Sequence, residues 1–297
     1  MSRGPDVMSW EHIAAQISDT TATRFRGARA VAAAGGSINR ACVLEDAGVR
    51  YFVKLNAASR AAMFEAEAAG LAALAATNTI RVPRAICWGA DAGHAWLVLE
   101  HLALQPAGDW RGFGAALAAL HRHTAAHFGW VRDNTIGSTA QPNRQNQDWV
   151  VFLREQRLGY QLELALRNGH RTLARDGARL LERLPVFFSG YQPAPSLLHG
   201  DLWSGNAAFL PGGEAVIFDP AVYFGDREAD LAMTELFGGF ADGFYRAYGA
   251  AWPLDDGYHV RKDLHNLYHL LNHLNLFGAG YLAACADTIS RLLAQSG

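Results

Sequence analysis

Cysteine is scarce: Cys42, Cys87 and Cys285 are the only three in 297 residues, an odd number, far apart and without a Cys-x-x-Cys pair. Such spacing argues against a disulfide framework and fits a reducing, cytoplasmic setting. Long apolar runs are missing as well. No stretch reaches the roughly 18 uninterrupted apolar residues of a membrane span, and residues 1–26 are polar, without the apolar centre of a signal peptide. An excess of one charge sign is also absent. The 26 basic and 28 acidic residues leave a net charge of -2, too near neutral to argue for a nucleic-acid or acidic-membrane surface. Neither repeats nor linker-like Pro/Ser/Gly tracts mark a boundary. What is present is a chain of 50% hydrophobic and 18% charged residues, enough for a large core and long enough to favour two packed halves. A small-molecule partner is the expectation left standing.

The division between the halves comes from periodicity. Short apolar runs at 30–34, 39–44 and 50–55, separated by Gly35-Gly36-Ser37 and Asp46-Ala47-Gly48, have the pattern of three antiparallel strands joined by tight turns. An Ala- and Glu-rich run at 61–76 reads as a helix, and 85–89 and 95–99 as two further strands around Asp91-Ala92-Gly93. After Glu100 helical spacing dominates, over 113–128, 149–167, 172–188, 231–248 and 261–276. The expected fold is therefore α+β and bilobal. A small antiparallel-sheet lobe with one main helix covers 1–101, and a larger, mainly helical lobe covers 102–297.

Between 196 and 223 the helical spacing stops, and the unusual chemistry is concentrated there. In His199-Gly200-Asp201-Leu202-Trp203-Ser204-Gly205-Asn206 a carboxylate is followed five positions later by an amide, with glycine between them to let the loop bend. This is a phosphoryl-transfer spacing: Asp201 can take a proton from an attacking hydroxyl while the Asn206 oxygen ligates Mg²⁺. Two short strands flank Pro211-Gly212-Gly213-Glu214, so the hairpin should return Asp219 opposite Asn206 as a second hard-oxygen ligand. Either aspartate alone could be a turn-former. The ordered set of three points to chemistry.

Phosphoryl transfer needs a cradle for the phosphates. No GxxxxGK[ST] sequence occurs, so a Walker-type loop is excluded. Gly35, Gly36 and Ser37 would let backbone N–H groups approach anionic oxygens, although two glycines at a strand turn are a weak signal by themselves. Lys54 ends an apolar strand where its cation can reach inward, and it needs a carboxylate to hold it. Glu67 falls on the stripe Phe64, Glu67, Leu71 and Leu74 of the following helix, whereas Glu65 points elsewhere, so Lys54 should pair with Glu67. At the strand-to-helix switch, Glu100, His101 and Leu102 are placed to meet a nucleotide base, with Val98 and Leu102 sandwiching adenine.

With these residues in hand the chain resembles the fructosamine kinases, or ketosamine-3-kinases, within the protein-kinase-like group that includes aminoglycoside and choline kinases. The resemblance spans nearly the whole chain. It rests on Gly35-Gly36-Ser37-Ile38-Asn39, Phe52-Val53-Lys54 with Phe64-Glu65-Ala66-Glu67-Ala68, and Asp133-Asn134-Thr135-Ile136-Gly137 running into Gln141-Pro142-Asn143. Further on it rests on His199 to Asn206, Asp219-Pro220-Ala221, Gly225 to Met233, and Tyr268-His269-Leu270-Leu271-Asn272-His273. The resemblance implies a bilobal kinase-like fold, ATP and Mg²⁺, and phosphorylation of the third-carbon hydroxyl of ketoamine adducts on proteins or small amines. The phosphorylated adduct then falls off the amine, a repair of glycated material. By position it makes Asp201 the base, Asn206 and Asp219 the metal ligands and Lys54 the phosphate contact. Some relatives carry Cys where this chain has Ser37, so thiol switching is not expected. Gly200 precedes the catalytic Asp and no Ala-Pro-Glu follows Asp219, the pattern of an enzyme that needs no activation-loop phosphate.

For the acceptor, Trp203 is placed to stack on a sugar face, and Asn272 and His273 are candidate contacts. His265, His269 and His273 share a helical face, for which a packed interior is a better reading than a zinc site, because the Glu of a zinc-protease helix is missing. Asp230 is placed to bind catalytic-loop N–H groups or simply to favour a helix N-terminus. Two other functions stay open: an aminoglycoside- or choline-type kinase, which would want clustered carboxylates near Asp201, and a non-catalytic nucleotide-binding scaffold. The sequence is silent on oligomeric state.

Overall fold

A computed structural model describes residues 10–27, 29–33 and 38–297. After helix α1 (Trp10–Thr21), strands β1 (Arg29–Ala32), β2 (Arg40–Asp46) and β3 (Val49–Ala57) run into helix α2 (Ala61–Ala76), followed by β4 (Ala85–Ala90) and β5 (His94–Glu100). The five strands form one antiparallel sheet in the order β1-β2-β3-β5-β4. Side chains alternate across it. Leu97 and Leu99 pack with Phe64, Leu71 and Leu74 of α2, whereas Val53, Leu55, Trp96 and Val98 pack with Ile13 and Ile17 of α1. Lys54 stands opposite Leu97 in the β3–β5 register, so it shares the α2 face. The same alternation corrects one expectation. Val98 is fully buried against α1, on the far face of the sheet, and cannot sandwich a base with Leu102.

The larger side is helical. It contains α3 (Trp110–His121), α4 (Trp149–Phe152), α5 (Gly159–Arg167), α6 (Arg171–Phe187), α7 (Glu228–Leu236), α8 (Asp242–Ala251), α9 (Tyr258–Phe277) and α10 (Leu282–Gln295). Three two-stranded ladders are set among them: β6 (Asn134–Ile136) with β7 (Thr139–Gln141), β8 (Ser196–Leu198) with β11 (Tyr223–Gly225), and β9 (Ala207–Phe209) with β10 (Ala215–Ile217). The helix expected over 113–128 stops at His121, because the following backbone is claimed by sheet pairing: Thr124 bridges Ser196 and Gly129 bridges Phe224. The one expected over 231–248 is two helices, broken where Gly238 and Gly239 take φ of 99° and 74°. Between α4 and α5 the chain stays helical but widens into a π-helix, Leu153–Leu158. That turn seats Arg157, whose buried guanidinium lies 4.0 Å from the Tyr223 ring centre and donates to Pro142 O and Asn143 Oδ1 at 2.6 and 2.7 Å. Among the described residues, no helix is long and apolar enough to cross a membrane.

Candidate active site

The hairpin β9–β10 performs the return expected of it. Phe218 N donates to Asn206 O at 3.0 Å, which sets Asp219 beside Asn206. Asn206 turns its amide nitrogen inward, donating to Asp201 O at 2.9 Å and Asp201 Oδ2 at 3.2 Å. Its Oδ1 is then the atom left for a cation, next to the Asp219 carboxylate. Both are hard oxygens of the kind Mg²⁺ selects, and Mg²⁺ takes the rest of its shell from water and phosphate, so the pair fits that ion.

Lys54 is 4% exposed, and its ammonium reaches two carboxylates, Glu67 Oε1 and Asp219 Oδ1, each at 2.5 Å. Burial alone would lower the amine's pKa; Asp219 and Glu67 outweigh that and hold it above the ordinary lysine value. Glu67 too is raised above the carboxylate range, by burial first, with Lys54 pulling it only part of the way back. Glu65 lies on the opposite face of α2 and binds Arg132 at 3.0 Å. The Asp219 contact of Lys54 was not expected from the sequence, because 165 positions separate the two.

These groups meet at a cleft of about 1130 Å³ lined by Lys54, Glu67, Asp201, Asn206 and Asp219. Glu100, His101 and Leu102 border it as well, and so do Trp203, Asn272 and His273. Several are already engaged. The Glu100 carboxylate is tied to the Arg81 guanidinium and to Arg84 N. Asn272 uses both ends of its amide, accepting from Gln161 at 3.2 Å and donating to Ile136 O at 3.4 Å. Trp203 lies so close over Gly205 that a Cβ there would sit 2.3 Å from its ring, and it packs roughly perpendicular to the Phe237 ring, 5.9 Å between centres. Gly35, Gly36 and Ser37 lie outside the described residues.

The loop that carries Asp201 is held from behind. Asp230 accepts from His199 N at 2.7 Å and Gly200 N at 2.8 Å, so of the two readings of Asp230 the loop contact is realised. Gly200 has φ +82° and packs so tightly that a Cβ would lie 2.1 Å from Ala221 O. Burial first, and then the charge of Asp219, push the Asp201 carboxyl up to about 7. The β6–β7 hairpin grips the other side. Asn134 donates to Val222 O at 2.8 Å and Gln141 to Ala221 O at 3.0 Å, just past Asp219. These supports were missed, although the motif residues around Asp133 and Gln141 were a visible signal. Elsewhere Asp226, Glu228 and His265 form a buried donor cluster, but the Arg261 guanidinium grips Glu228 through two bonds of 2.7 and 2.8 Å and already supplies its cation.

A profile described as fructosamine kinase matches residues 9–295. The chain belongs to the fructosamine kinase family. Within the fructosamine kinases, it is 52% identical to a proposed ketoamine kinase of Synechocystis, over 96% of this chain and 97% of that one. It is 42% identical to the chloroplastic protein-ribulosamine 3-kinase of Arabidopsis thaliana, over 87% of this chain and 81% of the other. The crystal structure of a proposed fructosamine-3-kinase from Haemophilus somnus matches it with a TM-score of 0.89 at 30% identity, covering 96% and 97% of the two chains. An aminoglycoside phosphotransferase shares the bilobal, kinase-like fold of the fructosamine kinases more distantly, at a TM-score of 0.58 and 15% identity over 91% and 94%.

Proposed function

We propose that this chain transfers the terminal phosphoryl group of ATP to the third-carbon hydroxyl of a ketoamine. The observation that carries the reading is the convergence of Lys54, Asp201, Asn206 and Asp219 on one cleft, in a chain whose relatives are named for ketoamine and ribulosamine phosphorylation. The sheet-bearing lobe, residues 1–101, supplies the nucleotide side; residues 102–297 supply the base, the metal ligands and the acceptor pocket.

Asn206 and Asp219 would hold Mg²⁺, which when bound neutralises phosphate charge. Lys54, fixed by Glu67, contacts the phosphates, with Gly35, Gly36 and Ser37 as the expected backbone cradle. Glu100, His101 and Leu102 border the base. Asp201 accepts the proton of the acceptor hydroxyl as its oxygen bonds to phosphorus, and the bond from phosphorus to the departing ADP oxygen breaks. Orientation and electrostatics supply most of the acceleration. Trp203 stacks on the sugar, beside His273 and Asn272. The product ester then releases the amine.

One observation favours a ketoamine over an aminoglycoside. Among the described residues, the carboxylates bordering the cleft are Glu67, Glu100, Asp201 and Asp219, and each has a partner or role already described. A polycationic drug would find no uncommitted acid among them. Purified protein should turn over ATP with fructosyl-, ribulosyl- or erythrulosyl-lysine and show a phosphate ester on the sugar. Turnover only with aminoglycosides or choline, or with no acceptor at all, would overturn the assignment.

A further inference from the structure

The histidine face of α9 holds a ring, His269, that the proposed reaction has not used. His269 is 4% exposed, and its Nδ1 points at the catalytic carboxylate, 3.9 Å from Asp201 Oδ1. That is too long for a hydrogen bond. Nδ1 is shut off from solvent and is without a hydrogen-bond partner among the described residues. A buried polar atom left this way needs an explanation. Burial, reinforced by His273 one turn on, pushes the ring down to about 3, so it stays neutral and carries one N–H. An ion pair with Asp201 is thereby excluded. His273 is engaged elsewhere, since its Nδ1 bonds the His269 carbonyl at 2.8 Å and ties the two turns together.

The far side of the carboxylate is already occupied, since Asn206 Nδ2 donates to Asp201 Oδ2. Among the described residues, nothing gives Oδ1 an equivalent hold. Catalytic hydrogen bonds are often long before the reactants are loaded and tighten afterwards. We propose that His269 is a positioning residue whose neutral ring, as the Nδ1–H tautomer, donates to Asp201 Oδ1 after a shift of about 1 Å. With Asn206 on one oxygen and His269 on the other, the plane of the carboxylate is fixed and its free lone pair is aimed at the acceptor hydroxyl. His269 is not among the residues lining the cleft. This inference rests on the reading of Asp201 as the base.

Two measurements test it. Ring ¹⁵N spectra of the whole protein at neutral pH should show His269 protonated on Nδ1, with that signal moving in Asp201→Asn; protonation on Nε2 would overturn the inference. In ketoamine turnover, His269→Phe should lower kcat by about 10- to 100-fold, the range for partners that orient a reacting ligand, with KM for ATP unchanged. His269→Gln, which keeps an N–H donor, should recover most of that loss. A purely structural role would move melting temperature and both kinetic constants together and would not distinguish Gln from Phe. Full kcat in His269→Phe, or equal losses in Phe and Gln, refutes the role. If the wild type modifies no ketoamine, the functional reading fails separately, and the ring spectrum still decides where the His269 proton sits.

Discussion

Lys54 and Asp219 are 165 residues apart in the chain and joined by an ion pair of 2.5 Å. One comes from the middle of the sheet, the other from the end of the β9–β10 hairpin, so a single ammonium ties the phosphate side of the cleft to the proposed metal loop. Because Glu67 shares that ammonium, the position of α2 and the orientation of Asp219 are set by the same side chain.

Lys54→Met should therefore fail in two ways. It leaves Glu67 with its side chain 10% exposed and uncompensated, and breaking a buried pair from one side costs about 3–5 kcal/mol. Phosphoryl transfer should fall at least about 10²-fold, as for other lost charge-stabilising donors. Adding Glu67→Leu should restore most of the melting temperature and none of the turnover. A double variant that melts no higher than the single one would remove the buried pair from the account.

Asp201→Asn separates activity from stability. Turnover should drop on the order of 10²- to 10⁴-fold, the usual worth of a positioned base. Burial and Asp219 raise this carboxyl in the folded state, so its ionisation, half complete near pH 7 and nearly so by pH 8, weakens the fold. The amide has no charge to bury. At pH 8 the variant should melt at or above the wild type, which a thermal scan checks directly.

Gly200→Ala would place a methyl group 2.1 Å from the Ala221 carbonyl, at a φ that side chains rarely adopt. Backbone on one side and Asp230 on the other leave it nowhere to move. Loss of turnover comparable to Asp201→Asn is expected, together with a fall in melting temperature. Wild-type kinetics would show that the loop is looser than its packing implies.

Asp230 links loop geometry to acid stability. Burial pushes its carboxyl up, but the bonds from His121 and the catalytic-loop backbone outweigh this and leave it below the usual range. A carboxyl depressed in the fold contributes fully above its unfolded value of about 4, and that contribution is lost as the pH falls through the lower folded value. Asp230→Asn should cost about 1–3 kcal/mol at pH 7 by leaving a buried N–H unpaired. The difference from wild type should shrink below about pH 4. Denaturant melts at pH 7 and pH 3 measure both; a constant difference would contradict the linkage.

How much of this was legible in the sequence depended on distance along the chain. Lys54 with Glu67 and the Asp201, Asn206, Asp219 set could be read because a strand, a helix turn or a four-residue hairpin relates their members, and those geometries are nearly fixed. Pairing across the molecule was not readable: nothing local says that Lys54 also meets Asp219, that His269 faces Asp201, or that Asn134 and Gln141 hold the carbonyls after Asp219. Helix α1 escaped notice because its apolar positions Ile13, Ala14 and Ile17 matter only once a sheet is there to cover. Val98 shows the reverse failure. Closeness to the strand end places it near the base, whereas the alternation of the strand assigns it to the other face. The break at Gly238-Gly239 was a local signal that apolar spacing on both sides obscured.

The π-helix at Leu153–Leu158 makes the length of that segment matter more than its composition. A π-turn amounts to one extra residue within an α-helix. Deleting one of residues 153–156 should let the helix relax to its ordinary pitch and swing Arg157 by roughly 100° off the ring of Tyr223. Point substitutions on its exposed side should pass almost unnoticed, while a one-codon deletion there should be among the least tolerated changes in the gene.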